Sequence, residues 1–135
     1  MIEKKNFYIN GKWVSPTKPN DFEVIDPSTE EPFAIISLGS KEDADKAINA
    51  AKIAFDSWRE TTKEERLKLL EKFDEIYNRR WDEMVKAQSA EMGAPLDFAS
   101  ETHTKMGADI SKNTIEILRD FNFEHQFDPK SNYHI

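Results

Sequence analysis

The sequence predicts a mostly α-helical chain that opens with a few short β-strands. Three observations predict it. Apolar residues alternate in short runs as far as Leu38, the spacing of half-buried strands. From Ser40 the apolar spacing changes to a helical period of about 3.6. Thr, Gly and Pro residues then interrupt that pattern where helices start and stop.

Asn10-Gly11 stands between Phe7-Tyr8-Ile9 and Lys12-Trp13-Val14. Both central residues tolerate positive φ, so the segment reads as a two-residue hairpin. Ser15-Pro16-Thr17-Lys18-Pro19-Asn20 reads as a loop, because its prolines remove donors and fix φ. Phe22 to Ile25 alternates as a strand, Pro27 to Pro32 turns the chain, and Phe33 to Leu38 reads as the next strand. Strands so short and so close together suggest a small antiparallel layer.

Ser40 is placed as an N-cap, with Asp43 three residues on in a capping-box pattern. Ala44, Ala47, Ile48, Ala51, Ala54, Phe55 and Trp58 share one stripe of this first helix. Thr62 and Glu65 open a second helix, whose buried stripe should be Leu69, Leu70, Phe73, Ile76 and Tyr77. The chain changes direction near Asn78-Arg79-Arg80. Trp81, Met84, Val85, Gln88 and Met92 form a third stripe, stopped by Gly93. Pro95 suits the first turn of a fourth helix, along which Phe98, Thr102, Met106 and Ile110 share a face. Gly107 inside it costs on the order of 1 kcal/mol relative to Ala, so either packing or a ligand needs the space. From Asn122 to Phe127 the chain reads as aromatic and extended. Pro129 to Asn132 is a turn, and Tyr133 begins a strand.

The chain has 135 residues, 38% of them hydrophobic, and its periodicity argues for packing rather than disorder. The net charge of −7 is spread over helical faces and repels phosphate backbones, so no nucleic-acid partner is expected. No apolar run approaches the roughly 20 residues that span a bilayer. Met1 to Asn6 lacks the apolar core of a secretory signal, so a soluble cytoplasmic protein is expected, with no membrane partner. The chain has no cysteine, which excludes disulfides, cysteine-ligated zinc and a cysteine nucleophile within it. His103, His125 and His134 are too scattered to suggest a metal site. Lys63-Glu64-Glu65-Arg66 and Asn78-Arg79-Arg80 read as solvated faces with i,i+4 pairs.

Six blocks occur in a fixed order: Tyr8 to Val14, Val24-Ile25-Asp26-Pro27-Ser28-Thr29-Glu30-Glu31, Ser40 to Ala47, Ala54 to Arg59, Thr62 to Leu67, and Glu91-Met92-Gly93-Ala94-Pro95. Together, from about Phe7 to Phe123, they resemble the N-terminal segment of the NAD(P)-dependent aldehyde dehydrogenases. The resemblance implies an α/β fold, with residues 1–121 in the cofactor-binding region and residues 122–135 starting a connection towards the oligomerisation strands. It implies a complete enzyme, a homodimer or homotetramer, that oxidises an aldehyde to a carboxylic acid with NAD or NADP. It also implies a Cys nucleophile, a Glu base, an Asn oxyanion donor and a Gly-containing turn for the pyrophosphate. None of these motifs is present. No catalytic or cofactor-binding residue is therefore assigned, and the chain alone is expected to be inactive, its partner being the remainder of such an enzyme.

Two sites follow from the resemblance by position. Backbone carbonyls of Val24 and Ile25, with the Glu91 carboxylate, match a monovalent-cation site, and hard cations prefer such oxygen ligands. The other reading is strand core and a solvated helix end. Some relatives carry Asp where Glu91 stands, which changes the reach. Phe98, Thr102 and Met106 match the helix lining the aldehyde substrate tunnel, where a thioether and a small hydroxyl suit an apolar channel. The other reading is ordinary core packing. Ala94 replaces the Lys that often follows the Gly, leaving the substrate open. The alternative function is a non-catalytic helical protein-interaction module, which predicts aromatic stripes covered within the chain.

Overall fold

The computed structural model describes residues 1–124 and begins with strand β1 (Ile2–Lys4). Those three residues carry one apolar side chain, too little alternation to mark a strand. β2 (Phe7–Ile9) and β3 (Lys12–Val14) pair antiparallel, with Asn10 and Gly11 at φ 52° and 74° as the hairpin requires. The Tyr8 and Trp13 rings, directly opposite, meet edge to face with centroids 5.3 Å apart.

β4 (Asp21–Asp26) pairs antiparallel with β5 (Glu31–Ser37), and β5 pairs parallel with β1, Ile2 opposite Ala34. The expected antiparallel layer is thus corrected to a mixed sheet of order β1-β5-β4, with the hairpin standing apart. Parallel pairing joins residues remote in sequence, so no local turn announces it. β5 also begins at Glu31, ahead of the expected Phe33, because Glu30 at φ 61° already completes the turn. Pro32 is tolerated inside the strand because the ladder bulges there, Val24 facing Ala34 and Ile25 facing Pro32.

Helices α1 (Lys41–Trp58) and α2 (Lys63–Arg79) both open with complete capping boxes, from Ser40 and Asp43 and from Thr62 and Glu65. α3 (Trp81–Met92) follows after Arg80 alone, at the expected break. Pro95 is corrected from the first helical turn to the position before it, since its ψ of 143° is extended. The single fourth helix expected is divided into α4 (Leu96–Phe98), a π-helical segment (Ala99–Thr104) and α5 (Lys105–Asp120). The turn from Pro129, the strand from Tyr133, and residues His125 and His134 lie outside the described residues.

α2 packs on α5, and α3 packs on both the π segment and β4. Two cations brace this arrangement at helix C-termini, where free carbonyls carry negative partial charge. Lys63 Nζ donates to the carbonyls of Arg119 and Phe121 at 2.9 and 3.4 Å. Arg66 donates to the carbonyls of Trp58 and Arg59 and lies over the Trp58 ring. The expected i,i+4 pairing of that charged run is corrected accordingly. Arg80 likewise pairs with Glu83 at i,i+3, at 2.7 Å.

The apolar residues buried among those described are Ala34, Val85, Ala99 and Ile115. The predicted stripes therefore have the right period but lack the expected cover. On α1, Ile48, Phe55 and Trp58 are all exposed, Ile48 to 66%. On α2, Leu69 and Phe73 are exposed, while Leu70, Ile76 and Tyr77 are half-buried. On α3, Val85 is buried but Met92 is exposed. Periodicity marks which face is apolar and carries no information about what lies against it. The covered stripes that an interaction module predicts are absent among the described residues. No helix of the described residues is long and apolar enough to cross a membrane.

Candidate functional site

The end of β4 meets the end of α3. Asp26 forms an Asx turn, its Oδ1 accepting from Ser28 N at 2.8 Å and its carbonyl from Glu30 N at 2.8 Å. This presents Pro27 and Ser28 to Gly93, whose backbone is left-handed at φ 67° and ψ 16°. Gly93 N donates to Ser89 O at 2.9 Å, and Ser89 Oγ donates to Ala94 O at 2.7 Å, which fixes the exit from α3.

Val24 and Ile25 flank the bulge just before this junction. Pro32, opposite Ile25, brings no N–H to the ladder, so the pairing lacks a donor there. Ile25 is exposed and Val24 half-buried. Glu91 is exposed, two residues before Gly93 on the helix that packs on β4. Carbonyls and a carboxylate are all acceptors and gain nothing from one another directly. Hard cations prefer oxygen ligands of this kind.

Phe98 and Met106 are exposed and Thr102 is half-buried. Core packing within the described residues therefore does not account for Phe98 and Met106. Phe98 meets His103 edge to face, with centroids 4.9 Å apart. Beneath this face the π segment is held from the α2–α3 junction. Trp81 Nε1 donates to Ser100 Oγ at 3.0 Å, and Tyr77 Oη donates to Thr104 O at 3.1 Å. The Tyr77 hydroxyl lies where a side chain at Gly107 would project. Packing, the first of the two reasons expected for that glycine, is thus identified.

One polar centre was legible only in part. The capping box accounts for the bonds from Ser40 N and Oγ to Asp43 Oδ2, at 3.0 and 2.8 Å. Asp43 Oδ1 also accepts from Thr17 N and Oγ1 at 2.9 and 2.6 Å, joining the loop to α1. Asp43 is buried. The Thr17 hydroxyl, aided by the Thr17 and Ser40 donors and opposed by burial, holds its carboxyl far below the usual range. No local signal links Thr17 to Asp43, since they lie 26 positions apart. Beside this centre the hairpin and α1 enclose an open, apolar cleft of about 570 Å³, lined by Phe7, Tyr8, Trp13, Asp43 and Ala44.

Neither Gly11 nor Gly93 opens a helix N-terminus, where a pyrophosphate would be held. Gly11 sits in a hairpin turn and Gly93 closes a helix C-terminus, the end whose dipole repels anions.

The chain belongs to the aldehyde dehydrogenase family, whose model matches residues 13–134. It is similar to the 3-succinoylsemialdehyde-pyridine dehydrogenase of a Pseudomonas species, with 42% identity over 125 residues, 92% of this chain and 26% of that protein. Its structure is similar to that of an aldehyde dehydrogenase from Bartonella henselae, with 48% identity and a TM-score of 0.93. That match covers 98% of this chain and 28% of the other. An aldehyde dehydrogenase C variant from Pseudomonas syringae, complexed with NAD+ and octanal, matches at 31% identity and a TM-score of 0.89, over 92% of this chain and 26% of that one. The fold is that of the N-terminal part of the α/β aldehyde dehydrogenases. The chain spans about a quarter of the length of the curated relatives it matches.

Proposed function

We propose that this chain is the N-terminal part of an enzyme that oxidises an aldehyde to a carboxylic acid with NAD or NADP, as a cytoplasmic homodimer or homotetramer. The observation that carries the reading is the superposition of 98% of this chain on 28% of the Bartonella henselae enzyme, at a TM-score of 0.93. The NAD+ and octanal held by the Pseudomonas syringae relative support the cofactor and substrate class. Residues 1–121 contribute to the cofactor-binding region, and residues 122–135 start the connection towards the oligomerisation strands. A bound nicotinamide cofactor would supply the hydride acceptor. No residue of this chain is assigned to it, and the 135-residue chain alone is inactive.

Within that enzyme, Phe98, Thr102 and Met106 line the aldehyde channel. Their support is an apolar face left open by the chain's own packing. The Val24 and Ile25 carbonyls, with Glu91, hold a monovalent cation. The donor-poor ladder opposite Pro32 supports this second site.

A chimera tests the reading. Residues 1–135 replace the matching segment of the Bartonella henselae enzyme, and NADH formation from octanal is followed. Aldehyde-dependent NADH formation is the expected result. A folded chimera without it would overturn the proposal.

A further inference from the structure

We infer that Tyr77 and Trp81 are positioning residues for the aldehyde channel, fastening the two ends of the π segment and so fixing the angular phase between Phe98 and Met106. The inference rests on the channel reading above.

A π turn closes i→i+5 hydrogen bonds and holds one more residue than the α turn it replaces. In an α-helix each residue advances by about 100°, so one inserted residue rotates everything before it by about that angle. Phe98 precedes the segment and Met106 follows it. Whether the two side chains share a face is therefore decided by whether the extra residue is kept.

The segment does not satisfy itself. Thr104 is fully buried, and its Oγ1 finds no partner among the described residues, nor does His103 Nδ1. Such a register persists when its surroundings over-determine it. Here the surroundings are two side chains from one place. Tyr77 lies in the last turn of α2 and Trp81 starts α3, four positions apart across the break at Arg80. Trp81 holds Ser100 near the start of the segment, and Tyr77 holds the carbonyl of Thr104 at its end. Gly107 leaves the space that lets the Tyr77 ring come down on the helix. Neither Tyr77 nor Trp81 needs to touch an aldehyde to influence which one fits.

The test uses the chimera, with octanal and propanal as probes and the ratio of their kcat/KM values as readout. Tyr77→Phe removes only the hydroxyl. It should shift the ratio about threefold or more, short of the roughly 10–200-fold that losing a whole methylene contact gives, and leave the KM for NAD unchanged. Phe98→Ala and Met106→Ala should shift the same ratio, which tests the channel itself. If those two shift it and Tyr77→Phe does not, the positioning role is overturned and the channel reading stands. If neither of the two face variants shifts it, the channel reading falls and this inference falls with it, whatever Tyr77→Phe does. Equal loss of activity towards both aldehydes means a structural role alone and overturns the inference. Should Tyr77→Phe fail to fold, Gly107→Ala displaces the same ring from the opposite side, and the same outcomes decide.

Discussion

The ring of Pro27 stands where a side chain on Gly93 would have to go. A Cβ placed there falls 3.0 Å from Pro27 Cγ and 3.2 Å from Ser28 Oγ. Gly93→Ala therefore meets a strained left-handed backbone and an occupied space together. The backbone penalty alone predicts a loss of about 1–2 kcal/mol, read as a lower thermal midpoint of the chimera. A variant as stable as its parent would show that Pro27 yields freely.

Gly107 makes a sharper case, because two effects of opposite sign compete there. Ala is favoured over Gly in a helix by roughly 1 kcal/mol. Tyr77 opposes the change, its Cζ lying 3.0 Å from the position a Cβ would take. Gly107→Ala should destabilise the chimera when Tyr77 is present and stabilise it in a Tyr77→Ala background. Denaturation of the four combinations measures the coupling, expected at about 0.5–3 kcal/mol for residues in contact. Additive effects would sink the close contact.

Asp43 makes stability depend on acid. Its folded pKa is depressed, chiefly by the Thr17 hydroxyl, so the stabilisation is fully present above the unfolded value of about 3.9. It is lost as pH falls below that value towards the lower folded one. Asp43→Asn should lower the thermal midpoint at neutral pH, and the gap from the parent should narrow as pH drops below about 4. A gap that does not depend on pH would remove the carboxylate from the explanation.

The proposed cation site predicts ion-specific stability. Sodium chloride should raise the chimera's thermal midpoint above that in choline chloride at equal ionic strength, and Glu91→Gln should shrink the difference. Screening alone treats the two salts alike, so identical midpoints in the parent would count against the site.

For the isolated 135-residue chain, exposed Ile48, Phe55, Trp58, Leu69 and Phe73 predict strong binding of an apolar dye and self-association. Titration with NAD should return no heat. A monodisperse chain that ignores the dye, or one with micromolar NAD affinity, would contradict the proposed reading.

Local chemistry made much of this fold legible. The Asn10-Gly11 hairpin, both capping boxes and the stop at Gly93 each depend on residues at most a few positions apart, and each is found where expected. The remaining features are relationships between distant segments. β1 joins β5 across the chain, Thr17 reaches Asp43, Arg66 closes the end of α1, and the hydroxyl of Tyr77 meets the carbonyl of Thr104. A π register is especially hard to foresee, since the residues Ala99 to Thr104 carry no composition that distinguishes it from an α turn. The candidate site divides the same way: Phe98, Thr102 and Met106 could be placed in order along the chain, but not the division of their helix or the contacts that Tyr77 and Trp81 make with it.

Family membership, the two capped helix starts, the stop at Gly93 and the apolar faces were written in residue order, because capping, turn chemistry and periodicity are short-range. Which of those faces is covered, and how the fourth helix is phased, depended on three-dimensional packing. A side chain's period describes its own element, whereas burial and register depend on a neighbour that can come from anywhere in the polypeptide.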